Sequence, residues 1–313
     1  MYREHSIAVI VPAYNEGRLI EATLRDVPDF VDSVVVIDDA SVDETVEKAR
    51  KFANGDGRVL VMVQEHNQGK GAAVVRGFEQ VVAEGRDIAV LMDGDNQMPA
   101  EYVTSLLDPI IDDELDATKG NRFIADPKAL STMPRYRMIG NVLLTMMTKL
   151  ASGYWSIFDS QNGYWALRTK TVERLELSRL AKRYDLENSL LINLNIIGGK
   201  LRDVAIPARY GQEESKIRIW RVTPRIVATL LGGMSQRVYY RYVLFNFHPV
   251  ALFLFAGLPL LAWGLVFGLF VAITSAGEDA ATTGTVMLAV LPFLMGFQLL
   301  LAALVLDIMS EPK

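Results

Sequence analysis

Short apolar runs alternate with helix-patterned stretches over roughly the first ninety residues of the chain. The runs cover residues 7–11, 33–37, 58–63 and 87–92, and amphipathic stretches follow the first three, the last of them at residues 69–83. Runs of this length that are rich in β-branched residues are typical of strands buried on both faces of a parallel sheet. The alternation predicts an α/β fold with a doubly wound, mostly parallel sheet flanked by helices.

Two helix starts carry capping signals. Asn15 can cap a helix that runs to about Arg25, and Ser41 with Glu44 has the spacing of a capping box. Beyond residue 101 the pattern is looser. It predicts a short strand at 117–122 that turns at Gly120, a strand at 163–167, a helix at 185–197 and an edge strand at 201–206. A helix at 134–150 either packs on the sheet or lies on a membrane surface.

Two long uncharged segments close the chain, at residues 249–273 and 284–306. Each exceeds the roughly 20 residues that cross a bilayer core, so they predict a transmembrane two-helix hairpin within a membrane domain at 245–310. The preceding segment 216–241 contains six basic residues and no acidic one, whereas the connection between the spans is acidic. By the positive-inside rule, residues 1–240 form one cytoplasmic domain of a multi-pass cell-membrane protein.

Composition narrows the functional classes. The 313 residues contain no cysteine, which excludes disulfides, a thiolate nucleophile and a cysteine zinc site. The net charge of −5 argues against general nucleic-acid binding, and the basic segment lies where anionic lipid head groups are expected. The apolar part of the N-terminus is too short for a signal peptide.

A pair of carboxylates directly follows the fourth strand. Asp93 and Asp95 are separated by one glycine, and Gln97 lies two residues further on. Alternating side chains of an extended segment point the same way, and oxygen ligands of this kind suit Mg²⁺ or Mn²⁺ with a substrate diphosphate. A solvated acidic turn is the alternative for any isolated DxD triplet.

Four polar loops follow strands, and they are expected to meet at one edge of the sheet, where open α/β sheets bind ligands. They are PAYNEG (12–17), DDAS (38–41), HNQGKG (66–71) and DGDNQ (93–97).

Taken in order, IAVIVPAYNEG, VVVIDDASVDET, NQGKGAAVVRGF and MDGDNQMP resemble a family 2 glycosyltransferase with the GT-A fold. The later segments KGNR, DSQNGYWALR, YDLENSLL and ESKIRI, with the C-terminal hairpin, are similar to the dolichyl-phosphate mannose or glucose synthase group of polyprenyl-phosphate glycosyltransferases. The resemblance covers residues 6–220. It departs at QNGY, where a small residue or cysteine and then Gly-Phe are expected. Gln161 leans toward the glucosyl-type branch, but this one residue does not choose between UDP-glucose and GDP-mannose.

The resemblance implies a role for each part of the site. Asp39 would accept a hydrogen bond from the base, and Lys70 would neutralise charge near the nucleotide unless it is simply a solvated helix-start lysine. The implied nucleotide-binding residues are Pro12, Ala13, Tyr14, Glu16, Asp39, Lys70, Asp93 and Gly94. The implied metal ligands are Asp93, Asp95 and Gln97, and the implied sugar contacts are Asp159, Gln161, Asn162 and Glu187.

The implied acceptor is a polyprenyl phosphate. The phosphate dianion is already nucleophilic, so the reaction needs cations rather than a general base. A single displacement would invert the configuration at the anomeric carbon. The implied phosphate-binding residues are Arg122, Arg135, Arg137 and Lys216, although Arg135 and Arg137 can also be snorkelling surface residues. Asp93, Asp95, Arg122 and Lys216 are the expected catalytic set.

Three other functions stay open or are disfavoured by the sequence. A processive polysaccharide synthase needs a QxxRW motif, which is absent, and usually more spans. A sugar-1-phosphate nucleotidylyltransferase needs a glycine-rich, arginine-containing first loop, which PAYNEG is not. A silent nucleotide-binding scaffold would be expected to lack the DxD. Gly257, Gly264 and Gly268 in the first span suggest close helix packing and a homo-oligomer formed through the spans.

Overall fold

The computed structural model describes residues 1–125, 135–183, 185–207, 219–275 and 281–313, with the backbone alone for residues 125, 135–139, 141 and 219–225. One sheet contains seven strands in the order β3-β2-β1-β4-β6-β5-β7. The strands are β1 (Ile7–Ala13), β2 (Ser33–Asp38), β3 (Val59–Val63), β4 (Ile88–Leu91), β5 (Ala117–Asn121), β6 (Trp165–Arg168) and β7 (Leu201–Ala205).

The sheet is mostly parallel, as predicted. β3, β2, β1 and β4 run parallel, β6 is antiparallel to β4 and β5, and β5 pairs in parallel with β7 at the edge. The four predicted strands of the first ninety residues therefore end at the same edge of the sheet.

Helices cover both faces of the sheet. In chain order they are α1 (Ile20–Asp26), α2 (Thr45–Ala53), α3 (Lys70–Ala83), α4 (Val103–Asp112), α5 (Arg122–Ala125), α6 (Arg135–Ser152), α7 (Thr169–Arg174), α8 (Leu186–Ile196), α9 (Ile219–Arg237), α10 (Pro249–Thr274) and α11 (Thr283–Met309), with a π-helix at Val238–Leu244.

Alternation along β1 divides the core into two layers. Val9 and Val11 pack on one face with Leu106 of α4, whereas Ala8 and Ile10 pack on the other face with Phe78 of α3. Strands buried on both faces account for the continuous apolar runs in the sequence.

Three local predictions were wrong. The Asn15 side chain caps no helix and accepts from the backbone N–H of Val42, and α1 begins five residues later without a side-chain cap. Ser41 forms no capping box, because its hydroxyl accepts from the backbone N–H of Asn15 and α2 begins at Thr45. The predicted strand does not turn at Gly120, because Gly120 lies within β5 and pairs with Val204 of β7.

The predicted helix at 134–150 is α6, and one of its faces is buried. Leu144 and Met147 pack with Ala151 on residues of α8 and α9 such as Ile192, rather than on the sheet. On the opposite face Leu143 and other apolar side chains are exposed.

The chain folds as two compact units, Met1–Met234 with Pro312–Lys313, and Ser235–Glu311. In the second unit α10 and α11 pack as an antiparallel hairpin, and each is long and apolar enough to span a membrane, with mean hydropathies of 2.3 and 2.4. Gly264 lies so close to Phe293 that an added Cβ would sit 2.6 Å from the phenylalanine backbone nitrogen. Gly257 and Gly264, which we considered for self-association, thus serve packing within the hairpin.

A buried ion pair lies in this second unit. Nη1 of Arg237 donates to Asp307 at 2.6 Å, and the Tyr242 hydroxyl donates to the same carboxylate at 2.5 Å. Burial, with the nearby carboxylate of Asp307, raises the pKa of Tyr242 to about 12. Arg237, counted in the basic segment, therefore pairs inside the protein and does not face lipid head groups.

Candidate active site

The four strand-end loops meet as predicted, and hydrogen bonds join them. The backbone of Asn15 in the first loop bonds Ser41 in the second, and Asp39 of the second bonds the backbone of Gly69 in the third. The fourth loop closes on the first where the Gly94 N–H donates to the Pro12 carbonyl at 3.3 Å. One polar surface therefore forms at the carboxyl ends of β1 to β4.

Each of these loops contains a residue with positive φ. They are Asn15 at 57°, Ala40 at 59°, Gly69 at 100° and Asn96 at 56°. Asparagine and glycine tolerate this region, whereas alanine pays about 1–2 kcal/mol for it. Backbone strain of this kind is often found at binding sites, where the surrounding structure holds it in place.

Asp39, the expected partner of the base, is buried and holds the third loop. Its carboxylate accepts from the N–H groups of Gln68 and Gly69, both at 2.8 Å, and from the Gln64 side chain at 3.1 Å. In this structure Asp39 orders the loop that precedes α3.

Lys70 connects the DxD to a distant helix. Its ammonium lies 2.8 Å from Asp93 Oδ2 and 3.1 Å from Glu187 Oε1, at the start of α8. Burial by itself lowers the pKa of Lys70, but the two carboxylates outweigh it and hold that pKa above its ordinary value. The lysine is a fixed cation between two acidic groups, not a solvated helix-start residue.

Gly163 forms a wall against this cluster. A Cβ built on it would lie 2.7 Å from Lys70 Nζ and 3.2 Å from Asp93 Oδ2. A side chain at this position would displace the Lys70 ammonium from its ion pairs, so glycine lets the charged groups lie close to the chain.

An open cleft collects residues from three predicted groups. All three predicted metal ligands line it together with predicted sugar and phosphate contacts. Its lining includes Asp93, Asp95, Gln97, Arg122, Gln161, Asn162, Gly163 and Tyr164.

Arg122 forms a bidentate ion pair at one side of this cleft. Its Nε and Nη2 donate to the two carboxylate oxygens of Asp159 at 2.8 and 2.9 Å. Burial acts to raise the pKa of Asp159, but the hydrogen bonds and charge of Arg122 outweigh it and hold that pKa below its ordinary value. Asp159, which is expected to contact the sugar, thus also orients Arg122, which is expected to bind the acceptor phosphate.

Lys119 is a buried structural support beside the cleft that the sequence analysis missed. It is fully buried between strands, with its ammonium 3.0 Å from Asp203 in β7 and 2.6 Å from the backbone carbonyl of Asp159. It therefore fixes the segment that carries the cleft residues. Only its place in KGNR at the end of β5 gave a sequence signal.

The remaining predicted residues have different surroundings. Pro12 and Ala13 are buried in the first loop, Tyr14 is exposed, and the backbone N–H of Glu16 donates to the Thr45 hydroxyl. Lys216 lies outside the described residues, as do the side chains of Arg135 and Arg137.

The oxygen ligands available at the cleft suit a hard divalent cation. Asp93, Asp95 and Gln97 line one cleft and offer oxygen atoms, although Asp93 is paired with Lys70. Within the described ranges, no three His, Cys, Asp or Glu side chains are grouped in a way that could hold a metal. Any ion would therefore also need the Gln97 amide and ligands from the substrate.

The sequence pattern of glycosyl transferase family 2 matches residues 8–176. A dolichyl-phosphate hexose transferase of Haloferax volcanii is 31% identical over 218 residues, which is 69% of this chain and 88% of that protein. The UDP-N-acetylglucosamine–dolichyl-phosphate N-acetylglucosaminyltransferase of Methanococcus voltae is 30% identical, covering 59% of this chain and 78% of the relative. An undecaprenyl-phosphate mannosyltransferase of Micrococcus luteus is 28% identical over 74% and 95% of the two chains.

Among solved structures, glucosyl-3-phosphoglycerate synthase of Mycobacterium tuberculosis with bound UDP has a TM-score of 0.58. It is 22% identical, and the match covers 74% of this chain and 81% of that one. The same synthase has been crystallised with Mn²⁺, UDP-glucose and phosphoglyceric acid. These likenesses support the GT-A fold expected from the sequence.

Proposed function

Because the chain belongs to glycosyl transferase family 2, we propose that it transfers a hexose from a nucleotide-sugar donor to a polyprenyl phosphate in a membrane. The observation that carries this proposal is the cleft that Asp95 and Gln97 line together with Arg122 and Gln161. It brings together groups suited to a diphosphate, a sugar and an acceptor phosphate. The named activities of the relatives from three organisms support the same acceptor class.

The donor would bind along the loops of the parallel strands. The nucleotide would lie against residues 12–16 and Asp39, with Lys70 near the diphosphate. Asp93, Asp95 and Gln97 would hold Mg²⁺ or Mn²⁺, which when bound screens the diphosphate and stabilises it as it leaves. Gln161 and Asn162 would contact the hexose.

The acceptor phosphate would lie near Arg122. A phosphate monoester has its second pKa near 6, so it is mostly a dianion at neutral pH and needs no general base. Its oxygen forms the new bond to the anomeric carbon as the bond to the nucleoside diphosphate breaks, and this single displacement inverts the configuration. The Arg122 guanidinium, oriented by Asp159, would hold the phosphate beside the reacting carbon.

The hairpin would keep the catalytic domain at the membrane. α10 and α11 are mostly exposed in the chain and have the length and hydropathy of membrane spans. Exposed Tyr239, Phe245 and Phe247 before α10 have the character of interfacial aromatic residues. A cytoplasmic catalytic domain would then meet the lipid head group at the bilayer surface.

The test is sugar transfer by the purified full chain in detergent with Mg²⁺ or Mn²⁺ and a short polyprenyl phosphate. UDP-glucose, GDP-mannose, UDP-N-acetylglucosamine and UDP-glucuronate are offered separately, each radiolabelled in the sugar. We expect label to enter the organic phase with at least one donor. This transfer should be lost with EDTA or in Asp95→Ala, and retained in Asp29→Ala, which changes an exposed aspartate away from the cleft.

Two outcomes would point elsewhere. Transfer to a sugar hydroxyl acceptor, but not to the lipid phosphate, would favour a polysaccharide or glycolipid synthase. Nucleotide binding without transfer from any donor would favour a silent membrane scaffold.

A further inference from the structure

Helix α8 is polar although it is buried. Every residue from Leu186 to Asn195 is buried, and five of these ten are charged or polar. Buried polar groups are costly unless they are hydrogen-bonded. Two of the five form bonds with the helix itself or the adjacent loop, because Asn193 donates to the Ser189 carbonyl and Ser189 Oγ accepts from Ala181. Glu187 and Asn188 in the first turn are different, since Glu187 pairs with Lys70 and Asn188 contacts Gln161 of the cleft.

Asn188 in this first turn contacts Gln161. Its Oδ1 accepts from the Gln161 Nε2 at 3.1 Å and from the Thr148 hydroxyl of α6, also at 3.1 Å. Asn188 is completely buried, whereas Gln161 is partly exposed and lines the cleft. The other partner of the Gln161 amide, Ser160 Oγ, lies at 3.4 Å and forms a weaker bond.

This contact determines how the Gln161 amide is oriented. An amide has an N–H₂ end that only donates and an oxygen end that only accepts. Because the donor end is directed to Asn188, the acceptor end is left for a ligand in the cleft. The buried Nδ2 of Asn188 has no hydrogen-bond partner among the described residues. The two hydrogen bonds that Asn188 Oδ1 accepts offset the cost of this unpaired Nδ2.

We propose that Asn188 is a positioning residue for donor selection, and that through it Gln161 presents a carbonyl oxygen to the sugar. The site then favours a hexose with a hydroxyl or acetamido N–H at the position that Gln161 contacts. This inference rests on the proposed function and refines it. A residue that hydrogen-bonds a substrate group discriminates against an analogue without that group, because the protein group is then left unpaired.

The experiment compares donors that differ by one hydroxyl. The full chain in detergent is given its preferred nucleotide-hexose and the monodeoxy analogues of that donor. One analogue should lose about tenfold in kcat/KM with the wild-type chain, the effect of a single hydrogen bond. Gln161→Ala should lose a similar factor on the parent donor and little more on that one analogue.

Asn188→Leu should reproduce the pattern of Gln161→Ala, mainly through the donor KM. Asn193→Leu is the matched control, because it changes another buried asparagine of the same helix whose bonds stay within α8. It should leave the ranking of the donors unchanged. Thr148→Val removes the second donor to Asn188 and should also keep the ranking, because the Gln161 contact remains.

Equal losses on every donor in Asn188→Leu would overturn the inference, since they would indicate a structural role alone. Calorimetric binding of the same donors is the second readout, and it separates this inference from the proposed function. If the wild-type chain transfers no sugar, the proposed function fails. The inference fails if Asn188→Leu and wild type rank all donors identically in affinity.

Discussion

Replacing Lys119 by methionine tests whether the cleft depends on a buried charge beneath it. In the wild type its ammonium lies 3.0 Å from Asp203 and 2.6 Å from the Asp159 carbonyl. The side chains of Lys119 and Asp203 are only 0% and 5% exposed, so water cannot replace the lost cation. Removing one partner of such a pair typically costs about 3–5 kcal/mol, because the other charge stays buried.

Arg202, which precedes Asp203 in β7, provides a matched control. Arg202 pairs with Asp113 on the surface, with side chains 51% and 48% exposed. An exposed pair is worth about 0–1 kcal/mol, so Arg202→Met should hardly change stability. For a domain of this size each 1 kcal/mol moves the melting temperature by about 2–4 °C. Lys119→Met should therefore melt roughly 6–20 °C lower than the wild type.

Thermal unfolding of the full chain in one detergent measures this difference. The double variant Lys119→Met with Asp203→Asn should recover part of the loss, because no charge is then left unpaired and the amide oxygen can still accept from Asn121 and Phe158. Donor affinity should fall in Lys119→Met at temperatures where it is still folded, since the Asp159 segment loses its support. If Lys119→Met and Arg202→Met melt within about 2 °C of each other, the reasoning about the buried pair is refuted.

Three further changes are predicted. Gly163→Ala should reduce donor affinity at least tenfold in calorimetry, because its Cβ would lie 2.7 Å from the paired Lys70 ammonium; Gly57→Ala, which meets nothing within 4 Å, should not. The depressed pKa of Asp159 means that its ion pair stabilises the fold above pH 3.8 and that this stability is lost as pH falls through the lower folded pKa. Melting curves of Asp159→Asn between about pH 5 and 3 should accordingly show a weaker pH dependence than the wild type, and equal slopes would contradict the assignment. Ala40→Gly should raise stability by up to about 1 kcal/mol, because it relieves a φ of 59°, whereas Ala49→Gly inside α2 should lower it by about as much.

β1 and β2 could be predicted from the sequence because they are buried on both faces, and the edge strand β3, although only partly buried, is also a continuous apolar run. The predicted runs at 7–11, 33–37 and 58–63 match β1, β2 and β3 to within two residues. Parallel pairing then requires the loops after them to meet, and the structure confirms this. Six of the residues that the resemblance singled out line one cleft, namely Asp93, Asp95, Gln97, Arg122, Gln161 and Asn162, and their roles there stay a prediction.

The wrong predictions concern side chains whose partners lie on another loop. Asn15 and Ser41 have the composition of helix caps, but they bond each other's backbones across the junction of two loops. Lys119 reads as an ordinary polar residue near a strand end, because its partner in β7 is far away in the sequence. Local patterns cannot identify such pairs, since they depend on which strands become neighbours.

The charges around the cleft favour a particular kind of donor. Lys70 contributes +1, and its two partners Asp93 and Glu187 contribute −1 each, so these three groups carry a formal charge of −1 at neutral pH. The Arg122–Asp159 pair adds nothing to this sum. A bare nucleotide diphosphate would be repelled by such a group, despite Lys70, whereas a diphosphate that arrives with a divalent cation would not. This arrangement of charges agrees with the proposed use of Mg²⁺ or Mn²⁺, and it gives Lys70 the role of holding Asp93 in place.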